Sequence, residues 1–276
     1  MREESDVAGE PLVLDSITDL SATTAARIVV CGSHGGVFPG RLAAHRRVAA
    51  AIFNDAGLGR EGAGIAGLAV LDEAGVPAAA VDHRSARIGD GADALAHGRL
   101  SIVNRHGLLA GWEAGMPVGE AVLVAVGWPL EPRDAPPPVA AARTLVASVP
   151  VTVWALDSAS LATPEDAGCV LATGSHGGLL GGRPESALKG DALAALFNDA
   201  GIGLDGAGLG RLDPLAERGI AAATVSAASA RIGDGRSTYE DGIVSAVNEV
   251  ARRFGAARGM TAQDFIRAAA TAGARS

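Results

Sequence analysis

Ser85-Ala86-Arg87-Ile88-Gly89-Asp90-Gly91 recurs without a single change as Ser229-Ala230-Arg231-Ile232-Gly233-Asp234-Gly235. Two further blocks recur in the same order: Gly-Ser-His-Gly-Gly at 32–36 and 174–178, and Phe-Asn-Asp-Ala-Gly at 53–57 and 197–201. Identical blocks in register cannot reasonably arise by chance, so the sequence predicts a duplicated and fused unit. Each copy has the size of an ordinary domain, which predicts two lobes related by a pseudo-twofold axis.

Short apolar runs that end at turn residues predict the buried strands of each copy. The runs lie at 27–31 and 76–81 in the first copy, and at 169–173 and 220–225 in the second. Each copy also has an earlier run that ends at Asp-Ser. Alanine-rich stretches predict helices at 42–53, 65–74 and 94–110, and in the second copy from Pro184, at 209–218 and at 239–254. Strands that alternate with helices predict an α/β fold with two tandem pseudo-symmetric lobes, each an open, mostly parallel sheet flanked by helices.

The repeats also predict the domain boundaries. The first α/β repeat should span residues 12–128 and the second residues 151–276, with a connecting segment at 129–150. Within that segment residues 129–138 are rich in proline, which predicts a stiff, extended linker.

Composition and charge exclude several classes of partner. A formal net charge of −8 without a basic cluster disfavours nucleic acid, because a phosphate backbone requires a concentrated positive face. No uncharged apolar run reaches the roughly 18 residues that a membrane helix needs, and the charged first ten residues do not resemble a signal peptide. We therefore expect a cytoplasmic protein with a small-molecule partner, no nucleic acid and no membrane, and a homo-oligomer is left open. Cys31 and Cys169 are not equivalent in the repeats, so both are predicted to be buried apolar thiols.

The repeated blocks follow predicted strands, and ligands of open parallel sheets bind beyond the carboxyl ends of the strands. Asp15, His34 and Arg87, with their second-copy equivalents, are thus expected at one edge. Two predicted helices separate the second strand of each copy from the third, so an antiparallel third strand with its loop at the opposite edge remains an alternative.

The Gly-Ser-His-Gly-Gly block combines a flexible backbone with a hydroxyl and an imidazole. Its glycines allow a ligand to approach the backbone, and a histidine titrates near neutral pH. The alternative is a tight turn in which the histidine only caps a carbonyl. The residues taken as candidates from this block are Ser33, His34, Gly35, Ser175, His176 and Gly177.

The other two blocks supply candidate carboxylates and an anion clamp. Phe-Asn-Asp-Ala-Gly is predicted to end a helix, where asparagine and glycine also occur for conformational reasons alone, but its aspartate could orient a histidine or transfer a proton. Arginine in the longest block could clamp a carboxylate or phosphate, or could simply pair with the nearby aspartate and pin the loop. The candidates from these blocks are Asn54, Asp55, Asn198, Asp199, Ser85, Arg87, Asp90, Ser229, Arg231 and Asp234.

Some positions differ between the copies in an informative way. Asp205 aligns with Glu61, so a negative charge is retained there, and Lys189 aligns with His45. The chain lacks the phosphate-binding, nucleophile-elbow, dinucleotide and zinc-protease motifs, and neither a cofactor nor a metal is predicted.

The leading functional hypothesis is an enzyme that acts on a small polar metabolite carrying a carboxylate or amide, as a hydrolase or lyase. His34 and His176 would act as acid or base with Ser33 and Ser175 nearby, Asp55 and Asp199 would orient them or share the proton, and Arg87 and Arg231 would hold the anion. One alternative is an isomerase or racemase with one histidine from each lobe at a shared site. Two-lobed racemases of small acids have that geometry, but they use a cysteine from each lobe, whereas the cysteines here are not equivalent. The other alternative is a non-catalytic small-anion binding protein.

Overall fold

The computed structural model of the protein describes residues 10–21, 26–126, 137 and 140–273. Two mixed, mostly parallel sheets flanked by helices make up these residues, so the predicted α/β fold with two lobes is confirmed. Within the described ranges, no helix has both the length and the apolar character needed to cross a membrane.

The first lobe has a five-stranded sheet whose spatial order follows the sequence. Its strands are β1 (Leu12–Leu14), β2 (Ile28–His34), β3 (Ala50–Asn54), β4 (Ala78–Val81) and β5 (Leu100–Val103). Its helices are α1 (Val37–His45), α2 (Gly67–Glu73), α3 (Gly91–His97), α4 (Arg105–Leu109) and α5 (Val118–Ala125). Strands β1 to β4 are parallel, and β5 pairs with β4 in the antiparallel direction.

The second lobe repeats this arrangement and adds an antiparallel edge strand. Its strands are β6 (Arg143–Ala147), β7 (Val153–Leu156), β8 (Val170–His176), β9 (Ala194–Asn198), β10 (Ala221–Val225) and β11 (Val244–Val247). Its helices are α6 (Leu212–Glu217), α7 (Gly235–Asp241), α8 (Glu249–Arg253) and α9 (Ala262–Gly273). The extra strand β6 lies within the segment 129–150 that the sequence assigns to the connection, while most of the proline-rich stretch 129–138 falls outside the described residues.

Both faces of the sheets are buried, as parallel strands require. Along β2, Ile28 and Val30 pack on one face with Trp112, whereas Val29 and Cys31 pack on the other face. Small side chains dominate the central strands, so the helices can approach the sheet closely. Cys31 is buried as predicted, but Cys169 is only partly buried.

The predicted helix at 42–53 is wrong, because α1 ends at His45 and β3 begins at Ala50. The run Ala-Ala-Ile-Phe is short and uniformly apolar, and periodicity alone does not separate a buried strand from a buried helix. All five residues of β3 are buried in the middle of the sheet. The Phe-Asn-Asp-Ala-Gly block therefore ends a strand, and the strand that follows α2 is parallel, so its loop lies at the same edge as the other blocks.

The long helices predicted at 94–110 and 239–254 are also wrong. Each is split by a short antiparallel strand, β5 or β11, which follows a glycine at position 98 or 242. A side chain on Gly98 would meet the carbonyl oxygen of Ala94 at 2.4 Å, so glycine is needed where the chain leaves the helix. The helix predicted from Pro184 is only the 3-10 turn Pro184–Ser186.

The carboxyl edges of the two sheets face each other, and the contacts between them come in reciprocal pairs. The backbone N–H of Arg60 donates to the carbonyl of Ala227 at 2.7 Å, and that of Leu204 donates to the carbonyl of His83 at 2.8 Å. An apolar cluster from both lobes lies beside them, formed by Ala56, Ile88, Ala200 and Ile232. The lobes are thus joined through the loops that carry the repeated blocks.

The turn after β3 has an unusual backbone that makes this approach possible. Four consecutive residues, 56–59, have positive φ, and residues 200–203 repeat the same conformation. The Asn-Asp pair preceding each turn supports it: Asn54 Oδ1 accepts from the N–H of Ala56, and Asp55 Oδ1 accepts from the N–H of Gly57, both at 2.9 Å. These bonds offset the cost of about 1–2 kcal/mol for each side-chain-bearing residue in the left-handed region.

Reciprocal ion pairs flank the turns. Arg87 is paired with Asp205 of the second lobe, and Arg231 lies 3.4 Å from Glu61 of the first. The acidic charge that the two copies share at these positions therefore has a partner across the interface. Each arginine also binds an aspartate of its own lobe, Asp93 or Asp234.

Replacing Gly57 with alanine should loosen the interface between the lobes. A Cβ at Gly57 would lie 2.9 Å from the Cα of Gly201, whereas a Cβ at Gly62, with the same φ of 68°, would meet nothing within 4 Å. Urea unfolding should show a loss of about 1 kcal/mol for Gly62→Ala from backbone strain and a further loss of about 1–3 kcal/mol for Gly57→Ala from the contact. Equal losses in the two variants would contradict the close approach at Gly57.

Candidate functional site

A cavity of about 310 Å³ lies between the two lobes. Both copies contribute the same residue types to its wall: Ser16 and Ser158, Ser33 and Ser175, and His34 and His176. Each histidine ends the second parallel strand of its lobe, β2 or β8, where the strand leaves the sheet. The structure therefore brings the repeated histidines together at one hollow, although they are far apart in the sequence.

Each histidine is held by its own loop and faces the opposite lobe. The N–H of Gly36 donates to His34 Nδ1 at 3.1 Å, and the N–H of Gly178 donates to His176 Nδ1 at 3.2 Å. A Cβ on Gly233 would lie 3.1 Å from His34 Cε1, and one on Gly89 would lie 3.1 Å from His176 Cε1. Loops of one lobe thus pack directly against the imidazole of the other.

This hydrogen bonding fixes the tautomer of both rings. Because Nδ1 accepts a backbone N–H, the proton of the neutral imidazole must reside on Nε2. Neither Nε2 atom has an acceptor among the residues that the structure describes. Each lobe therefore supplies a neutral imidazole with an uncommitted Nε2–H donor.

Burial keeps both imidazoles neutral. Desolvation lowers the pKa of His34 from 6.5 to about 4. Desolvation also lowers the pKa of His176 well below its usual value, and the nearby charges of Arg211 and of a protonated His34 lower it further. At neutral pH the pair thus offers two hydrogen-bond donors without positive charge, an arrangement suited to polarising a carbonyl oxygen.

The two repeated serines brace neighbouring loops. Ser33 Oγ accepts the N–H of Ile17 at 3.0 Å, and Ser175 Oγ accepts the N–H of Ala159 at 2.8 Å. These bonds hold the loops that follow β1 and β7 against the cavity. Their hydroxyls are therefore positioned by the backbone, and no bond to the adjacent histidine is present in the described part of the chain.

The remaining predicted site residues do not line this cavity. Arg87 and Arg231 form ion pairs across the interface, and the others form hydrogen bonds that hold loops in place. Asn54 and Asn198 donate to the carbonyl groups of Ala86 and Ala230, in the loops after β4 and β10. Asp90 and Asp234 cap α3 and α7, and Ser85 and Ser229 donate to the carbonyl groups of Asp82 and Ser226. Gly35 and Gly177 bind the carbonyls of Asn54 and Asn198 through their N–H groups. The predicted set thus divides into four residues at the cavity and twelve that hold the scaffold around it.

Asp55 and Asp199 lie at the interface away from the histidines of the cavity. Asp55 Oδ1 is 2.8 Å from His83 Nδ1, and this hydrogen bond raises the pKa of His83. Asp55, Asp82 and His83 are close enough together for a cation, but Asp55 Oδ1 already accepts three N–H groups. Asp199 Oδ1 accepts the backbone N–H groups of Gly201 and Ala227, so it has the same bracing role.

Sequence analysis missed a charged residue at the cavity, Arg211, which is only 4% exposed. Its equivalent in the first copy is Gly67, so a search for residues shared by both copies could not find it. Lys189 and Glu185 of the second lobe also border the cavity. The wall is thus symmetric in its histidines and serines but asymmetric in its charges.

No protein-family model matches the chain, and neither a curated protein nor a solved structure matches it significantly.

The fixed tautomers can be tested by NMR. With ¹⁵N-labelled histidine, long-range ¹H–¹⁵N spectra should show His34 and His176 protonated on Nε2 at pH 7, with His34 titrating near pH 4. A midpoint for His34 at or above the ordinary value of 6.5, or a proton on Nδ1 of either ring, would contradict the assignment.

Proposed function

We propose that the protein is an enzyme acting on a small metabolite that carries a carboxylate or an amide, in a hydrolase or lyase reaction at the cavity between the lobes. The observation that carries this proposal is the pair of uncommitted Nε2–H groups, from His34 and His176, at one hollow. A volume of about 310 Å³ suits a small metabolite rather than a polymer.

The two imidazoles would polarise the carbonyl oxygen of the bound substrate. Negative charge develops on that oxygen when a nucleophile adds to the carbonyl, or when a proton is removed beside it. Donors that are already held in place lower the barrier, because they need not reorganise as the charge forms. Here Gly36 and Gly178 hold the rings, and both rings are largely buried between the lobes.

This role differs from the acid or base assigned from the sequence. For Nε2 to accept a proton, the ring would have to carry its existing proton on Nδ1, where it would oppose the glycine N–H. The same argument weakens the isomerase alternative, although one histidine from each lobe does border the cavity as that alternative requires. The group that takes or gives the proton would then be another ionisable side chain at the cavity, and Asp157, Glu185 and Lys189 are present there.

Anion binding without catalysis is the second candidate function. It is favoured by Arg211 and Lys189, which border the cavity together with the two N–H donors. The carboxylates of Asp157 and Glu185 border it as well, so the anion would bind at the arginine rather than across the whole wall. The same donors would then hold a ligand in its ground state, with no developing charge to stabilise.

Single substitutions of the histidines distinguish a shared site from two independent ones. The full chain is incubated with a panel of small carboxylates and amides, and products are identified by mass spectrometry. His34→Gln and His176→Gln should each lower kcat for the substrate found by about 100-fold or more, because each removes one donor from the same oxyanion. His106→Gln is the control, since His106 is bound to Asp72 outside the cavity.

Other outcomes would assign a different function. A loss of about half the turnover in each variant would indicate two separate sites and contradict the shared carbonyl. Saturable binding of panel members without any product would favour the second candidate.

A further inference from the structure

Arg211 is a buried cation, 4% exposed, without an ion-pair partner among the residues that the structure describes. It precedes α6, and three carbonyl groups accept its hydrogen bonds: Nε donates to His176 at 3.1 Å, and Nη1 donates to Ser186 at 2.8 Å and to Ala187. Its Nη2 has no acceptor in the described part of the chain. The side chain borders the cavity that also contains His34 and His176.

No carboxylate compensates the charge of this guanidinium within the described ranges. Burial lowers the pKa of Arg211 to about 10, so the group remains protonated at neutral pH. By contrast, the interface arginines Arg87 and Arg231 have acidic partners. Burying a charge without a partner costs free energy, and an anion that binds beside the charge offsets this cost.

The guanidinium is held in one orientation. It lies over the ring of Phe197, with Cζ 5.1 Å from the ring centroid, while its carbonyl partners fix Nε and Nη1. The remaining edge, with Nη2, is thereby left for a ligand. A preset planar donor of this kind suits carboxylate and phosphate oxygens.

The first lobe cannot supply an equivalent cation. A Cβ at Gly67 would lie 2.1 Å from the carbonyl oxygen of Gly36, because α1 and α2 pack closely there. In the second lobe the 3-10 turn Pro184–Ser186 replaces α1, and Arg211 occupies the space. The positive charge therefore exists on one side of the cavity only.

We infer that Arg211 anchors an oxyanion group of the ligand, a carboxylate or a phosphate, at the second-lobe side of the cavity, and so fixes the direction in which the ligand lies across the two histidines. This inference rests on the proposed function for the location of the site, and it adds the charge of the substrate and its orientation. Arg211 binds the remote anionic group, while His34 and His176 contact the carbonyl that reacts.

Arg218 provides a matched control for the structural contribution of Arg211. It too donates to carbonyl groups of the same segment, those of Leu188 and Gly190, but it is paired with Asp191 and does not border the cavity. A change at Arg218 thus loosens the same segment without touching the proposed anion site.

The test measures binding of malonate and of inorganic phosphate to the full chain by isothermal titration calorimetry. Arg211→Gln should lower the affinity for whichever anion binds the wild-type protein by about 10-fold or more, since charge-assisted bonds are lost. Arg218→Gln should leave that affinity within about twofold of the wild-type value. Arg211→Lys should bind with intermediate affinity, because it retains charge without the planar fork. This variant also keeps the test valid if Arg211→Gln fails to fold. The anion that binds more tightly identifies the oxyanion as carboxylate or phosphate.

Two results would overturn the inference. Wild-type affinity in both Arg211 variants would show that the anchor lies elsewhere, and failure of both anions to bind wild type would show that there is no oxyanion site. Neither result decides the proposed function, which depends on turnover in the His34 and His176 variants. Conversely, the Arg211 variants could lose anion binding while both histidine variants keep full turnover. That pair of results would refute the proposed function and leave the anion site in place.

Discussion

The molecule depends on the close approach of two backbone turns, at Gly57 and Gly201, where the carboxyl edges of the sheets meet. A side chain at either glycine would force the lobes apart. The left-handed residues on each side of these glycines are strained, and bonds from Asn54, Asp55 and their equivalents compensate for that strain. The reciprocal ion pairs also join loops of the two lobes, and the cavity with both histidines lies between loops of the two lobes.

The fold class could be predicted from the sequence because repeated apolar runs and turn residues mark strands whatever their exact length. The errors fell on short alanine-rich segments. Residues 50–53 carry no periodic signal, since a central strand of a parallel sheet is apolar on both faces. In residues 94–110, Gly98 is a local signal for a helix end that the alanine-rich pattern outweighed, whereas the pairing of the four-residue strand β5 with β4 has no local signal.

For the site, identity between the copies was a partial guide. It identified His34 and His176, which lie at one cavity, but it also identified Arg87 and Asp55, whose contacts hold loops and join the lobes. An interface between two similar lobes constrains residues in both copies as strictly as a ligand does. The retained acid at Glu61 and Asp205 is explained by such an interface, through the arginine of the opposite lobe.

Arg211 and Gly67 show what a single chain permits that a pair of identical subunits does not. In a homodimer, both halves of a wall lying on the twofold axis must carry the same residue, so an unsymmetrical molecule could enter in two equivalent ways. Here the second lobe has a guanidinium at Arg211, whereas the equivalent residue of the first lobe, Gly67, has no side chain. Because the two lobes belong to one chain, the two sides of the cavity can carry different charges. The cavity can therefore distinguish the two ends of an unsymmetrical ligand.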